Sequence, residues 1–485
     1  MSNYNVILIN PDIPLPYNVS YPPYGCLFIA PHLKNVGYRV RVFDAQKEKI
    51  SVLKDIVTNS KGLIWIGFSV IRGPAIQSSL NISKIIKKCN PDVPLVWGGS
   101  FPTLIPTQAL ENELVDIVVM NEGEHASVEL TQALSDKQDL DGIKGIGFKR
   151  DGKIILNPPR EFIKDWDNKV RLGWDFIDPT KYFNYIDGKR HLEIITSRGC
   201  PFRCAFCWNM TANLRKLRGW SADRVIEELK SLEKYGIEYI TFADDYFDYY
   251  DTDRVIRIAD YFKKKNIVWS LGNGLRVGNH LEKLLTLLKD SNCTYVSFGS
   301  ESGSQRVLDY INKDISIEQI LESARLTVRY NIGARYSWMI GFPNETKEDI
   351  FKTLKMIDEI RSMNKKTGHF IGIFSPEPGT RLFDEAVAKY LWIPPTKLSQ
   401  WAKLREELNY PYIKDIWFLR CISFSSFLYF KIDSPISVLN INCIYIVPLK
   451  ILIFISRLRW RYKFFKFPIE VWLALKAKKF MRRLV

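Results

Sequence analysis

The sequence predicts an α/β protein in three parts: a Rossmann-like, doubly wound parallel sheet, a partial (β/α)6 barrel, and a C-terminal helical region both hydrophobic and basic. Three observations carry this. Short β-branched runs alternate with helical patterns in two separate series. A Pro- and Asp-rich stretch separates the two. Beyond Pro394 the composition changes, with aromatic and aliphatic residues and then Lys and Arg replacing the balanced mixture before it.

In the first series, strands are expected at Asn5–Asn10, Arg39–Asp44, Gly62–Ser69, Pro94–Gly98 and Asp116–Met120. Helices are expected near Cys26–Val36, Ile50–Asn59, Ala75–Cys89, Thr103–Glu111 and Glu124–Leu134. This spacing implies parallel strands joined by right-handed crossovers, with ligands outside the carboxyl ends of the strands. Residues 1–144 form this domain. Residues 145–190 are a linker carrying a small hairpin (Ile146–Lys149, Ile154–Leu156). The second series, residues 191–394, has strands at Leu192–Thr196, Tyr239–Ala243, Val268–Leu271, Tyr295–Gly299, Ala334–Ile340 and Phe370–Phe374. Its helices are expected at Ser221–Tyr235, Thr252–Lys264, His280–Lys289, Ile317–Tyr330 and Lys347–Ser362. In parallel barrels the chemistry sits at the C-terminal ends of the strands.

The chain of 485 residues is 46% hydrophobic and 25% charged, the balance of a globular protein too long for one core. The net charge of +16 is uneven: Ser456–Val485 holds ten Lys or Arg against the single acid Glu470, a net +9. The body is therefore only mildly basic, which argues against a nucleic-acid channel and points to an anionic surface met by the tail. Eight cysteines in so long a chain are not a disulfide framework, and three fall within residues 200–207, the mark of a metal or redox site in a reducing compartment. Buried structural thiols are the expectation for Cys26, Cys89, Cys293, Cys421 and Cys443. The chain enters an apolar strand at Val6–Ile9 with no signal-peptide pattern, so a cytoplasmic location is expected.

Directly after the first barrel strand stands Thr196-Ser-Arg-Gly-Cys200-Pro-Phe-Arg-Cys204-Ala-Phe206-Cys207. Three thiolates in C-x3-C-x2-C can hold three irons of a cubane cluster, leaving the fourth iron open for catalysis. A structural zinc loop is the alternative and would need a fourth Cys or His nearby; between Trp208 and Asn292 only His280 offers itself. Further motifs follow at successive strand ends: Asp244-Asp245, Asn273-Gly-Leu-Arg276, Gly299-Ser300-Glu301-Ser302 and Gly341-Phe-Pro343.

These residues resemble the radical S-adenosylmethionine superfamily, with Phe206 at its aromatic position. The resemblance implies a [4Fe–4S] cluster on Cys200, Cys204 and Cys207. Its open iron would chelate the amino and carboxylate groups of S-adenosylmethionine, and an external one-electron reductant would drive cleavage to a 5′-deoxyadenosyl radical. Asp244 and Asp245 would lie near the methionine amino group, Ser300 and Glu301 near ribose and methionine, and Pro343 beside adenine; Arg276 is placed in the same site.

The first domain resembles the cobalamin-binding domain found ahead of many such cores. The resembling residues are Tyr24-Gly25, Ser69, Gly98-Gly99-Ser-Phe-Pro102-Thr103 and Asn121-Glu122-Gly123-Glu124. A glycine pair removes side chains so that a broad macrocycle can approach. Phe101 stands where the family has His, Asn121 where it has Gly, and no histidine lies in the loop Pro11–Tyr24, so cobalt would have no lower ligand from that loop. A scaffold domain without cobalamin is the alternative.

At the C-terminus (395–485), Ile436–Ile455 is apolar but interrupted by Asn440, Asn442, Pro448 and Lys450, so a clean membrane span is not expected. On a helical wheel Ile469, Leu473, Ala477, Phe480, Met481 and Leu484 oppose Lys478, Lys479, Arg482 and Arg483. Trp460 and Trp472 would serve as interfacial anchors. Peripheral contact through 456–485 with the inner face of the membrane is the expectation; a cap on the barrel and an RNA-binding tail are the alternatives. Together these features predict a cobalamin-dependent radical enzyme that modifies an unactivated carbon of a hydrophobic, lipid-like substrate, by C-methylation or ring remodelling. An oxidative cyclase without functional cobalamin and a non-catalytic iron–sulfur electron carrier remain open.

Overall fold

The computed structural model describes residues 3–13, 20–247, 251–278, 280–365, 367–407, 409–431 and 446–473. Two seven-stranded sheets organise the chain. The first contains β1 (Val6–Asn10), β2 (Val40–Asp44), β3 (Trp65–Ser69), β4 (Leu95–Gly98), β5 (Ile117–Val119), β6 (Ile146–Arg150) and β7 (Lys153–Leu156). Its order is β2-β1-β3-β4-β5-β6-β7, parallel through β5 and antiparallel thereafter. Strands β1 and β3–β5 are buried on both faces, as a parallel sheet covered by helices requires. The hairpin expected in the linker pairs with β5, so the first sheet runs to Leu156. The order reverses between β1 and β3, which puts the ligand crevice above their carboxyl ends.

The expected helix Thr103–Glu111 is instead two short ones, Ser100–Leu104 and Pro106–Leu110. Pro106 has no N–H to continue the ladder and pushes Ile105 out of the helical region.

The second sheet contains β8 (Asn184–Ile186), β9 (Lys189–Ile194), β12 (Tyr239–Phe242), β13 (Val268–Leu275), β14 (Cys293–Glu301), β15 (Gly333–Ile340) and β16 (Gly368–Ile373); β10 (Ser197–Arg198) and β11 (Arg218–Gly219) form a separate ribbon. From β9 to β16 all six strands are parallel and in sequence order, and the outer two are not paired with each other: an open barrel. Along β15, Ala334, Tyr336, Trp338 and Ile340 are buried toward the outer helices, alternating with Arg335, Ser337 and Met339 on the lumen side. Capping boxes at Ser316 and Thr346 start the helices Ile317–Arg329 and Lys347–Met363.

The described part of the C-terminal region closes the barrel beside β16. The helix Ile416–Lys431 buries Cys421, Ile422 and Phe430 in the barrel core, and Ser423 Oγ donates to the Ile371 carbonyl at 2.8 Å. The helix Ile446–Tyr462 packs on it. Trp460, expected as an interfacial anchor, is instead a core residue: it is 2% exposed, donates to Asp358 Oδ1 at 2.7 Å and stacks on Tyr429. An indole with its N–H satisfied inside the core gains more from burial than an interface would give it. Trp472 is 43% exposed. Residues 436–445, and Ala477, Lys478, Lys479, Phe480, Met481, Arg482, Arg483 and Leu484, lie outside the described residues, as does Cys443. No helix among the described residues is long and apolar enough to cross a membrane.

Candidate active site

The three-cysteine loop leaves the end of β9 under tight backbone control. Asp244, fully buried after β12, accepts from Thr196 N at 2.6 Å, Thr196 Oγ1 at 2.7 Å and Ser197 N at 3.2 Å. Arg254 donates to Thr196 Oγ1 at 2.8 Å, and its charge opposes the rise that burial imposes on the Asp244 pKa. Gly199 sits at φ +89° with a would-be Cβ 2.0 Å from the Lys216 carbonyl, so only glycine fits there. Its N–H donates to Asp245 Oδ2 at 3.0 Å, and Asp245 stays exposed. The adjacent acids therefore divide the work: Asp244 staples the strand end and Asp245 steadies the loop at the cavity.

Cys200, Cys204 and Cys207 are free and partly buried. The amides of Phe202 and Asn209 hydrogen-bond to the Cys200 and Cys207 sulfurs. Burial nevertheless raises both thiols, Cys207 to about 12, with the neighbouring cysteines adding to the rise. Among the described residues no three ligating side chains are already gathered around one metal position. The donor set itself, three soft thiols with N–H···S support and no fourth ligand in the loop, suits a cluster with one open iron.

Behind the loop, Arg276 stacks on Phe202 at 3.9 Å and donates to the Lys313 carbonyl. Lys313, also buried, donates to Glu301 Oε1 at 3.0 Å. Glu301 adopts φ +62° where β14 slips register against β15, and the Ser300 hydroxyl is buried with no hydrogen-bond partner. An unpartnered buried hydroxyl is costly unless a ligand completes it. Arg276 thus braces the segment behind the loop, and the Ser300 hydroxyl beside it has no protein partner among the described residues. Pro343 is buried beside Phe342, which meets Phe206 at 5.8 Å between ring centroids. Glu345 Oε2 accepts the Gly341 N–H at 2.5 Å, and burial raises this carboxyl to about 8.

Across a cavity of about 360 Å³ stands the crevice of the first sheet. Gly99 is at φ +99°, and a Cβ there would meet the Val70 carbonyl at 2.7 Å; a Cβ on Gly98 would make only ordinary contacts at 3.8 Å. The chain's own packing requires glycine at 99 but not at 98, so the bare surface at Gly98 suits a broad ligand. Ser69 lies against Gly25, whose Cβ would come within 2.0 Å of the Ser69 hydroxyl. Thr103 Oγ1 donates to Gly99 O at 2.8 Å and accepts from Asn121 N at 2.9 Å. Asn121 is left-handed (φ +59°), a conformation Asn tolerates in place of Gly. Phe101 packs edge-on against Trp401 at 6.1 Å, which accounts for an aromatic where a polar ring was expected. Pro102 is buried beneath, and Gly123 precedes the helix Glu124–Ser135.

Two residues that line this crevice are also tied to the protein itself. Glu122 pairs with Arg218 at 2.7 Å and accepts the Ile163 N–H at 2.7 Å; Glu124 pairs with Arg198 at 2.7 Å. Tyr24 donates its hydroxyl to the Glu193 carbonyl. These clamps tie the first sheet to the cluster loop. A second clamp, Arg72 with Glu377 at 2.5 Å, borders a chamber of about 1710 Å³. The chamber is lined mainly by apolar groups, from Phe206, Cys207 and Trp208 past Met339 and Phe370 to Phe424 and Phe427.

Residues 194–357 match the model of the radical SAM superfamily, and residues 16–131 that of the B12 binding domain. An uncharacterized methyltransferase of Pyrococcus horikoshii is 33% identical over 375 residues, covering 76% of this chain and 79% of that one. The chain belongs to the cobalamin-binding radical SAM family. The anaerobic magnesium-protoporphyrin IX monomethyl ester cyclase of Rubrivivax gelatinosus is 29% identical over 76% of this chain and 66% of its own. The cobalamin-dependent radical enzyme OxsB shares the fold at TM-score 0.71 and 16% identity, over 99% of this chain and 75% of its own.

As a radical SAM enzyme of this family, the protein uses a [4Fe–4S] cluster, S-adenosylmethionine and cobalamin. The strand ends of both sheets line the same small cavity, the first through Gly98 and Gly99 and the second through Ser197, Arg198 and Asp245. Sequence reasoning missed the residues that hold this radical SAM site together: Lys313, Arg254, Arg198 and Arg218. Their roles depend on contacts with distant elements, and each looks in the sequence like an ordinary surface cation.

Proposed function

We propose that the enzyme modifies an unactivated carbon of a bulky, hydrophobic, lipid-like substrate held in the large chamber. The observation that supports this is the chamber itself. At about 1710 Å³ it exceeds the usual range of roughly 300–1,000 Å³ for small-molecule sites, and its walls are mainly apolar. It touches Phe206, Cys207 and Trp208, so a substrate lying in it has its reacting end at the cluster loop. The relative that acts on a magnesium-protoporphyrin ester also fits a large apolar guest.

In this reading Cys200, Cys204 and Cys207 hold the cluster, with the Phe202 and Asn209 amides on their sulfurs. Ser300 completes its hydrogen bond with S-adenosylmethionine, and Asp245 lies at the rim for its amino group. Phe206 and Pro343 flank the adenine, while Glu301 is held back by Lys313. Gly98, Gly99, Ser69, Thr103 and Tyr24 form the floor for cobalamin. When bound, the cofactors supply the radical and the methyl-transfer or redox chemistry. The chain's part is to orient them and keep water out, which the apolar ring of Phe206, Phe342 and Phe374 does. Peripheral contact through residues 456–485 would bring such a substrate within reach.

The test is anaerobic turnover of the reconstituted enzyme with methyl-labelled S-adenosylmethionine and fractionated cell extracts. Formation of 5′-deoxyadenosine should be stimulated by the organic-soluble fraction. Label in the product marks methylation; an unlabelled product with altered mass marks ring formation. Stimulation by polar metabolites alone would overturn the substrate class.

A further inference from the structure

We propose that residues 450–473 form a docking face for an anionic lipid bilayer at the edge of the large chamber, so that substrate enters from the membrane; the entry half rests on the substrate reading above. The helix Ile446–Tyr462 has two unlike sides. Ser456 and Trp460 are buried against the barrel cap, while Ile451, Phe454, Leu458 and Tyr462, spaced 3, 4 and 4 residues apart, lie 40–68% exposed. The chain after the helix continues this surface, with Phe467 75%, Ile469 65% and Trp472 43% exposed. Between them lies Val471, which is buried and lines the chamber. Inner cavity and outer apolar surface are therefore separated by a single turn of chain.

Charge selects the occupant. Lys450, Arg457, Arg461 and Lys466 are exposed on this segment, while its only acid, Glu470, is buried and paired with Arg459 at 2.5 Å. Exposed aromatics interleaved with cations, and no exposed carboxylate within 450–473, match the interface of an anionic leaflet. A second copy of the same face would bring four cations against four, which disfavours self-association. This surface takes in the first half of the charged tail identified from the sequence, with five of its ten cations, and lies on the side of the helix opposite the buried Trp460.

The test uses the full-length holoenzyme with vesicles of phosphatidylglycerol and phosphatidylcholine, and of phosphatidylcholine alone. The wild type should sediment with the anionic vesicles, far less with the neutral ones, and less as salt is raised. Arg457→Gln/Arg461→Gln/Lys466→Gln should lower partitioning roughly a hundredfold, since each cation near such a surface contributes on the order of 1 kcal/mol. Phe454→Ser/Phe467→Ser should lower it about tenfold or more, with iron content and thermal unfolding unchanged. Wild-type partitioning in both variants would overturn the proposal. So would a wild-type dimer that Phe454→Ser/Phe467→Ser converts to monomer, because the face would then be a self-interface. Turnover of detergent-dispersed organic-soluble substrate separates the two readings. Vesicle binding without turnover removes the lipid-like substrate, and turnover without vesicle binding removes the docking face.

Discussion

Replacing Asp244 tests whether the cluster loop is held by its protein frame. Oδ1 accepts two backbone N–H groups, Thr196 at 2.6 Å and Ser197 at 3.2 Å, and Oδ2 accepts Thr196 Oγ1 at 2.7 Å. Asp244→Ala strands both amides in a fully buried site and leaves Arg254 without its nearby carboxylate. Each orphaned buried donor costs about 1–3 kcal/mol, so the two amides together cost about 2–6 kcal/mol. The loss exceeds what a short loop can absorb, so the strand end should loosen and the thiols lose their common geometry. Asp244→Asn keeps Oδ1 and both amide bonds, but turns an N–H₂ toward Thr196 Oγ1, which already accepts from Arg254 at 2.8 Å. Its cost should be nearer 1 kcal/mol. Iron bound per chain after anaerobic reconstitution should fall in the order wild type, Asn, Ala, with Ala at least about tenfold down. If Asp244→Ala keeps full iron but stops binding S-adenosylmethionine, the carboxylate contacts that cofactor and the staple account is wrong.

Other outcomes follow from the same geometry. Cys200→Ala, Cys204→Ala and Cys207→Ala should each abolish 5′-deoxyadenosine, whereas Cys293→Ala, buried in β14, should leave iron near wild type; activity retained in any of the first three would remove that ligand set. Gly98→Leu should fold normally but fail to retain cobalamin by its visible absorption, because the first carbon fits at 3.8 Å and the rest enters the cavity. Gly99→Ala should instead lose stability, by about 1–2 kcal/mol for the left-handed backbone alone, measured by urea unfolding. His369 accepts from Trp338 Nε1 at 3.1 Å and is buried, which lowers its pKa to about 3. The folded state then binds fewer protons than the unfolded one below about pH 6.5. Its contribution should be lost as pH falls from there toward 3, at up to roughly 1.4 kcal/mol per pH unit. His369→Gln should flatten that slope in acid-unfolding curves; an unchanged slope would show that His369 is not the group responsible.

Local pattern made much of the protein legible in advance. Parallel strands buried on both faces read as short β-branched runs, and the helix Ile50–Asn59 was expected at its observed bounds, since periodicity and turn residues act over a few positions. The cysteine loop was legible for the same reason: its three sulfurs lie in one short segment and need no distant partner to be recognised.

The sequence by itself thus determined the two α/β series, the spacing of the three-cysteine loop, the glycine pair at 98–99 and the charge of the C-terminus. Only the tertiary structure decided what individual polar and aromatic residues do. Asp244 and Asp245 are neighbours in sequence, yet one is buried under Thr196 and the other open to the cavity, because successive positions leaving a strand turn to opposite sides. Glu122 reads as a cofactor residue and is held by Arg218, almost a hundred positions away. Trp460 and Trp472 read as one pair of anchors, but one fills the barrel cap and the other faces outward. Such choices are set by which side chains distant segments bring together, and by the cost of burying a charge or an N–H unless something answers it there.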